Sequence, residues 1–133
     1  MNRQLVVGAV DVCFILRLGK TEYSPGAVSF GGTVEPVGDT TGWITALDAE
    51  SGAVRWKYHA EKPVIAAITP TAGGITFAGD LAGNLLVFDS PTGRLLHKVR
   101  AGGAMAGGIV TYELGGRQYL AFAAGNISRN AFG

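Results

Sequence analysis

The feature that most constrains this chain is a sequence frame that occurs twice, 41 residues apart. The first copy, Gly42 to Trp56, predicts a hairpin, because a β-rich run is followed by turn residues and then by an alternating run. The matched positions are Gly38-Asp39 with Gly79-Asp80, Gly42 with Gly83, Ile44 with Leu85, Leu47-Asp48 with Phe88-Asp89, Gly52 with Gly93, and Lys57 with Lys98. The chain is therefore predicted to be a repeat of hairpins.

A repeat period near 41 residues is typical of β-propeller blades, which are four-stranded antiparallel sheets. We predict an all-β fold, a partial propeller with almost no helix, because no stretch combines helical periodicity with capping residues. As a single domain, residues 1–133 divide into an incomplete blade at 1–60, a complete blade at 61–100 and half a blade at 101–133. The two terminal units have no polar cap, so they predict self-association or contact with missing blades.

The first unit carries two predictions of its own. The apolar, β-branched runs Gln4 to Val10 and Val12 to Leu18 predict strands that are buried on both faces. The stretch Gly19 to Thr41 is rich in glycine and proline and has no strand or helix period, so it predicts a long irregular loop. The first twenty residues are accordingly read as strands and not as a signal peptide.

Composition excludes several classes of function. A net charge of +1 with 16% charged residues offers no basic face, which argues against nucleic-acid binding. The single cysteine, Cys13, cannot form a disulfide within the chain, and His59 and His97 lack the spacing of a zinc site. No apolar run reaches the length of a membrane span.

The hairpin of the first copy contains a more specific motif, Ala46-x-Asp48-x-x-x-Gly52-x-x-x-Trp56. Asp48 can bond the backbone of its own turn, Gly52 can adopt a positive φ, and Trp56 can lie flat between two blades. The motif resembles the tryptophan-docking motif of the quinoprotein dehydrogenases, and it is predicted to be structural.

The second copy keeps the frame of this motif with one change. Asp89 and Gly93 stand at the aspartate and glycine positions, and His97 stands where the tryptophan is expected. A histidine at that position is predicted to be a buried packing residue and not a catalytic one.

The resemblance extends over nearly the whole chain, which is similar to the C-terminal part of PQQ-dependent alcohol dehydrogenases. The resemblance implies an eight-bladed periplasmic propeller that binds pyrroloquinoline quinone (PQQ) and usually calcium, oxidises primary alcohols and passes electrons to a cytochrome. The landmarks are Ala9-Val10-Asp11-Val12-Cys13, Gly31-Gly32-Thr33, Gly42-Trp43, Thr71-Ala72-Gly73-Gly74, Gly79-Asp80-Leu81, Gly107-Gly108-x-Val110-Thr111-Tyr112 and Gly116-x-Gln118-Tyr119.

The resemblance assigns no catalytic residue to this chain, because the family's general base, its adjacent-cysteine disulfide and its tryptophan floor belong to earlier blades. Two cofactor contacts should fall within the chain. The family often has asparagine before the cysteine, where this chain has Val10 and Asp11, and tryptophan at the position of Ile65. Asp11, Ile65 and Met105 are the candidate cofactor residues, with Ile65 and Met105 interpreted as equivalent positions of the repeat that face the channel.

The departures from the family pattern leave two functions open. Asp11 could approach the quinone carboxylates only through a cation or a water, and it could equally bond backbone amides at a strand end. The resemblance thus allows PQQ and calcium, but the residues at the matching positions do not support them. The chain is predicted to be a piece of a quinoprotein alcohol dehydrogenase-like propeller that is inactive alone, and the alternative is a non-enzymatic scaffold that self-associates.

Overall fold

The computed structural model describes residues 3–20, 25–26 and 31–125. This part of the chain contains nine β-strands and no helix, so it includes no helix that is long and apolar enough to cross a membrane. The strands, in chain order, are β1 Gln4–Leu18, β2 Gly32–Asp48, β3 Val54–Ala60, β4 Thr69–Pro70, β5 Ile75–Gly79, β6 Asn84–Asp89, β7 Leu95–Arg100, β8 Ile109–Leu114 and β9 Arg117–Phe122.

The strands form three antiparallel sheets that follow one another along the chain. The first sheet has the order β1-β2-β3, the middle sheet β4-β5-β6-β7 and the last sheet β8-β9. Neighbours in each sheet are consecutive in sequence, because tight turns join most of them. The glycines of these turns include Gly52 and Gly93, which both have a φ of 72°. The predicted all-β fold with almost no helix is confirmed.

The first hairpin differs from its prediction. The two predicted strands at residues 4–18 are one continuous strand, β1, and β2 begins at Gly32, so the loop predicted for Gly19 to Thr41 is wrong over its second half. Thr33, Val34 and Val37 pair with the far half of β1, and this cross-strand pairing overrides the local glycine and proline content. The register shifts between Asp11 and Cys13, where β2 has two extra residues. Residues 21–24 and 27–30 of the predicted loop lie outside the described residues.

The prediction that residues 4–18 are buried on both faces is also wrong. Near the middle sheet β1 alternates between half-buried and exposed residues, because only one of its faces is covered. Beyond Asp11 the β1–β2 pair extends past β3 as a two-stranded arm. Its apolar side chains are exposed, with Leu16 at 72% and Leu18 at 98%, because no third strand or facing sheet is present among the described residues.

The interior lies between successive sheets. The first core cluster joins the facing surfaces of the first and middle sheets, and the second joins the middle sheet to the last. The first cluster contains Ile44, Ala46, Trp56, Ala60, Val64, Ala78, Leu86 and Phe88, and the second contains Ala66, Leu85, Met105 and Ile109. Each sheet is therefore stabilised mainly by burial against its neighbours in sequence, as expected for stacked repeats.

Candidate functional site

The turn after β2 is built around the carboxylate of Asp48. Its Oδ1 accepts hydrogen bonds from the backbone amides of Glu50 and Ser51, at 3.1 and 2.9 Å, and from the Ser51 hydroxyl at 2.9 Å. Its Oδ2 accepts one from Nη2 of Arg55 at 2.5 Å. Arg55 is on the next strand, so this one side chain holds the turn and fixes the start of β3.

These contacts predict a stability change in acid. The Arg55 guanidinium, followed by the Ser51 amide and hydroxyl, lowers the pKa of Asp48 from 3.8 to about 2. A carboxylate with a lowered pKa in the folded state stabilises that state above its ordinary pKa, and the contribution is lost as the pH falls from about 4 to 2. Urea unfolding across this window should show the loss in the parent chain and not in Asp48→Asn.

A second variant assigns the cause of this pH dependence. Arg55→Leu copies the leucine found at the corresponding position of the next copy, Leu96. Removal of the guanidinium should raise the pKa of Asp48 toward its ordinary value and narrow the window over which stability falls. If the parent chain and Asp48→Asn lose stability equally between about pH 4 and 2, other carboxylates control the acid response.

Trp56 docks the first sheet onto the middle one. The residue is 8% exposed, and its Nε1 donates a hydrogen bond of 2.9 Å to the carbonyl oxygen of Ser90. Its ring stacks on Phe88 with a centroid distance of 5.8 Å, and it lies over Gly93, where a Cβ would stand 2.6 Å from Cγ of Trp56. Ala46, the cross-strand partner of Trp56, is fully buried. The motif thus acts between repeats, and its glycine partner belongs to the following copy.

The second copy repeats the turn but not the docking. Oδ2 of Asp89 accepts hydrogen bonds from the amide and hydroxyl of Thr92, at 3.1 and 2.5 Å. His97 is exposed, so the prediction that it is a buried packing histidine is wrong. Trp56 packs on Gly93 of the next repeat. The glycine on which His97 would pack in the same way would belong to a further repeat, and the described part of the chain contains no such repeat.

The carboxylate of Asp11 faces an aromatic cluster on the outer surface of the first sheet, the surface opposite the middle sheet. Its Oδ2 accepts a hydrogen bond of 2.9 Å from Nε1 of Trp43. The Trp43 ring stacks on His59 with a centroid distance of 4.4 Å, and Nζ of Lys57 lies 4.3 Å from its centroid. His59 Nε2 is 3.0 Å from Oγ1 of Thr41. The sequence prediction missed this cluster, although its residues alternate along β2 and β3.

The other two candidate residues lie elsewhere. Ile65 is half-buried and borders a groove beside β1. Met105 is fully buried, and a Cβ added at Gly79 would stand 2.7 Å from the Cβ of Met105. A Cβ added at Gly8 would stand 2.8 Å from Cγ1 of Val64, which precedes Met105 by the 41-residue period. Val64 is therefore the repeat counterpart of Met105, and the interpretation that Ile65 and Met105 are equivalent is wrong. The three candidates do not converge on one site.

The residues present do not fit PQQ with calcium as a self-contained site. The described residues include no group of three or more histidine, cysteine, aspartate or glutamate side chains that could hold a metal ion. Asp11 bonds Trp43 on the outer surface, Ile65 offers only an apolar side chain, and Met105 is within the core. A quinone that carries several carboxylates needs cationic or amide partners, and these three side chains supply none.

The fold and the docking motif together define a class, the β-propellers whose blades are joined by a buried tryptophan. Comparison with known proteins agrees with this class. The PQQ_2 family model, described as outer membrane protein assembly factor BamB, matches residues 16–129. The chain therefore belongs to the PQQ_2 family.

Several of the relatives and solved structures that resemble the chain are named as dehydrogenases. Lupanine 17-hydroxylase [cytochrome c] of a Pseudomonas species is 34% identical over 94 residues, which are 71% of this chain and 13% of the relative. Quinoprotein alcohol dehydrogenase PedH of Pseudomonas putida is 30% identical over 106 residues, 77% of this chain and 18% of the relative. A europium-containing methanol dehydrogenase superposes with a TM-score of 0.79 at 25% identity, over 90% of this chain and 22% of that one. The chain thus spans less than a quarter of each of these proteins.

Proposed function

We propose that this chain supplies blades to a quinoprotein alcohol dehydrogenase-like propeller, contributes part of a PQQ channel and is inactive by itself. The observation that carries the proposal is the docking of Trp56 on Gly93, because it joins consecutive repeats in the manner needed to close a ring of blades. The chemistry of the proposal, the oxidation of an alcohol, comes from the names of relatives such as the quinoprotein ethanol dehydrogenase of Pseudomonas aeruginosa and PedH. The proposal includes a periplasmic location, which is supported only by the family resemblance.

Under this proposal, the positions of the candidate site residues explain why the isolated chain would be inactive. Asp11, Ile65 and Met105 are separated in the structure, and each is engaged outside a common pocket. A substrate alcohol needs a general base within hydrogen-bond reach of its hydroxyl, and a quinone needs groups that orient its reactive carbonyl. In this proposal both come from further blades, and the present chain forms one wall.

The second candidate function is a scaffold that self-associates, and a specific observation favours it. Leu5 and Val7, on the outer surface of the first sheet, are 54% and 42% exposed. The pairing of β1 and β5 with their neighbours matches these residues to Thr76 and Ala78 of the middle sheet, which are fully buried. An apolar sheet face of this kind is typically buried by another sheet. A second copy of the chain could cover it without any quinone.

A titration with PQQ distinguishes the two functions. The purified chain receives PQQ with and without calcium, while the fluorescence of Trp43 and Trp56 and the mass of the species in solution are recorded. We expect no saturable change for the monomeric chain. Calcium-dependent binding of PQQ by a monomer would contradict the proposal that the cofactor site needs further blades. A stable oligomer that binds no PQQ would favour the scaffold.

A further inference from the structure

The first sheet lacks a strand that the middle sheet has. The repeat aligns β1 with β5, because Gly8 pairs with Ile44, Gly79 pairs with Leu85, and Ile44 matches Leu85 in the frame. In the middle sheet, β4 lies beside β5 on the edge away from β6, and we call a strand in this position the inner strand. Nothing among the described residues occupies the corresponding place beside β1, so that edge presents backbone groups without strand partners.

A groove runs along this free edge. One wall is the edge of β1 from Val6 to Val10, and the other is the segment from Val64 to Ile68, which leads into the middle sheet. The volume of the groove is about 410 Å³. Its side-chain lining is aliphatic, and the polar groups that it offers are those of the backbone. These are the properties of a site that adds an extended strand to a sheet.

The chain itself indicates which sequence fits this position. The inner strand of the middle sheet is entered through Ala66-Ala67-Ile68, and Thr69 then pairs with Phe77. The inner strand of the last sheet is entered through Gly107-Gly108, and it begins with Ile109, which is 3% exposed. Both inner segments therefore consist of two small residues, an isoleucine and a β-branched residue. The small residues allow close approach of two backbones, and the isoleucine fills the space between sheets.

We propose that the groove between β1 and the segment from Val64 to Ile68 is a strand-acceptor site for an extended segment of a partner polypeptide. The segment has the pattern of two small residues, isoleucine and a β-branched residue, and it adds antiparallel to β1. The middle sheet provides the precedent, because it holds such a segment at the equivalent edge. The site requires no quinone, so it is independent of the proposed enzymatic role.

The test uses the full 133-residue chain and a fluorescent peptide with the sequence of residues 106–112, AGGIVTY. Fluorescence anisotropy measures binding, and hydrogen exchange locates it. We expect saturable binding together with slower exchange of those amides between Gln4 and Val10 that point away from β2. A control peptide with Ile109→Asp and Val110→Pro loses the apolar anchor and one backbone donor, and it should bind at least about tenfold more weakly.

A pair of protein variants tests the groove directly. Ile65→Asp places a charge in the groove wall and should weaken peptide binding, whereas Ile15→Asp changes an exposed side chain of the arm and should not. Circular dichroism verifies that both variants are folded, and the peptide controls apply even if Ile65→Asp is not. Three outcomes would overturn the proposal: equal binding of both peptides, protection of β9 instead of β1, or protection, before any peptide is added, of those β1 amides that point away from β2. The last outcome would show that the groove is already filled in the free protein.

Discussion

Replacement of Trp56 with alanine is expected to lower the free energy of unfolding by about 3–5 kcal/mol. The indole is 8% exposed and lies between the first and middle sheets, so its removal leaves a cavity against Phe88 and Gly93. It also leaves the Ser90 carbonyl without the hydrogen bond from Nε1. Urea denaturation at a fixed protein concentration measures the loss.

The chain offers a matched control for this substitution, since its other tryptophan lies on an uncovered surface. Trp43→Ala removes a half-buried ring that contacts His59, Lys57 and Asp11 but closes no core between sheets. Its cost should be about 1 kcal/mol, the size of one stacking or hydrogen-bond contact. Equal losses for the two variants would mean that burial between sheets is not what makes Trp56 important.

Replacement of Gly93 with alanine should be the second large effect. Gly93 has a φ of 72°, which disfavours alanine by about 1–2 kcal/mol at any site. In addition, the new Cβ would stand 2.6 Å from Cγ and 2.7 Å from Cε3 of Trp56, so the indole or the turn must move. Overpacking of this kind adds about 1–3 kcal/mol.

Gly52→Ala separates the two contributions. Gly52 has the same φ of 72° in the same turn of the preceding copy, but an added Cβ there would meet no atom within 4 Å. The difference between the two free energies of unfolding therefore isolates the contact with Trp56. If Gly93→Ala and Gly52→Ala unfold at the same urea concentration, Trp56 does not dock in solution as it does in the structure.

Much of the fold could be predicted from the sequence because its signals are local. The aspartate and glycine of each turn act within a few residues of themselves, as the contacts of Asp48 and Asp89 show. The alternating runs on either side then follow as antiparallel neighbours. The repeat of the frame predicted a unit of four strands, and the middle sheet has four, although the first of them, β4, is only two residues long.

The candidate site was less predictable because its residues depend on contacts between repeats. The 41-residue period already pairs Val64 with Met105, and the structure adds the glycines on which they pack, Gly8 and Gly79. The surface on which Asp11 lies follows from the β1–β2 register. The cluster of Trp43, His59 and Lys57 could have been found by extending the alternation of β2 and β3 across the turn.

The sequence by itself determined the class of fold, the period of the repeat and the turn chemistry, because each depends on residue types at short, fixed spacings. Only the tertiary structure decided which faces are covered. The same motif position is buried at Trp56 and exposed at His97, and the far half of β1 is a strand with both faces open. A side chain is buried only where a second surface covers it, and that surface comes from residues far away in the sequence, as Phe88 and Gly93 are from Trp56.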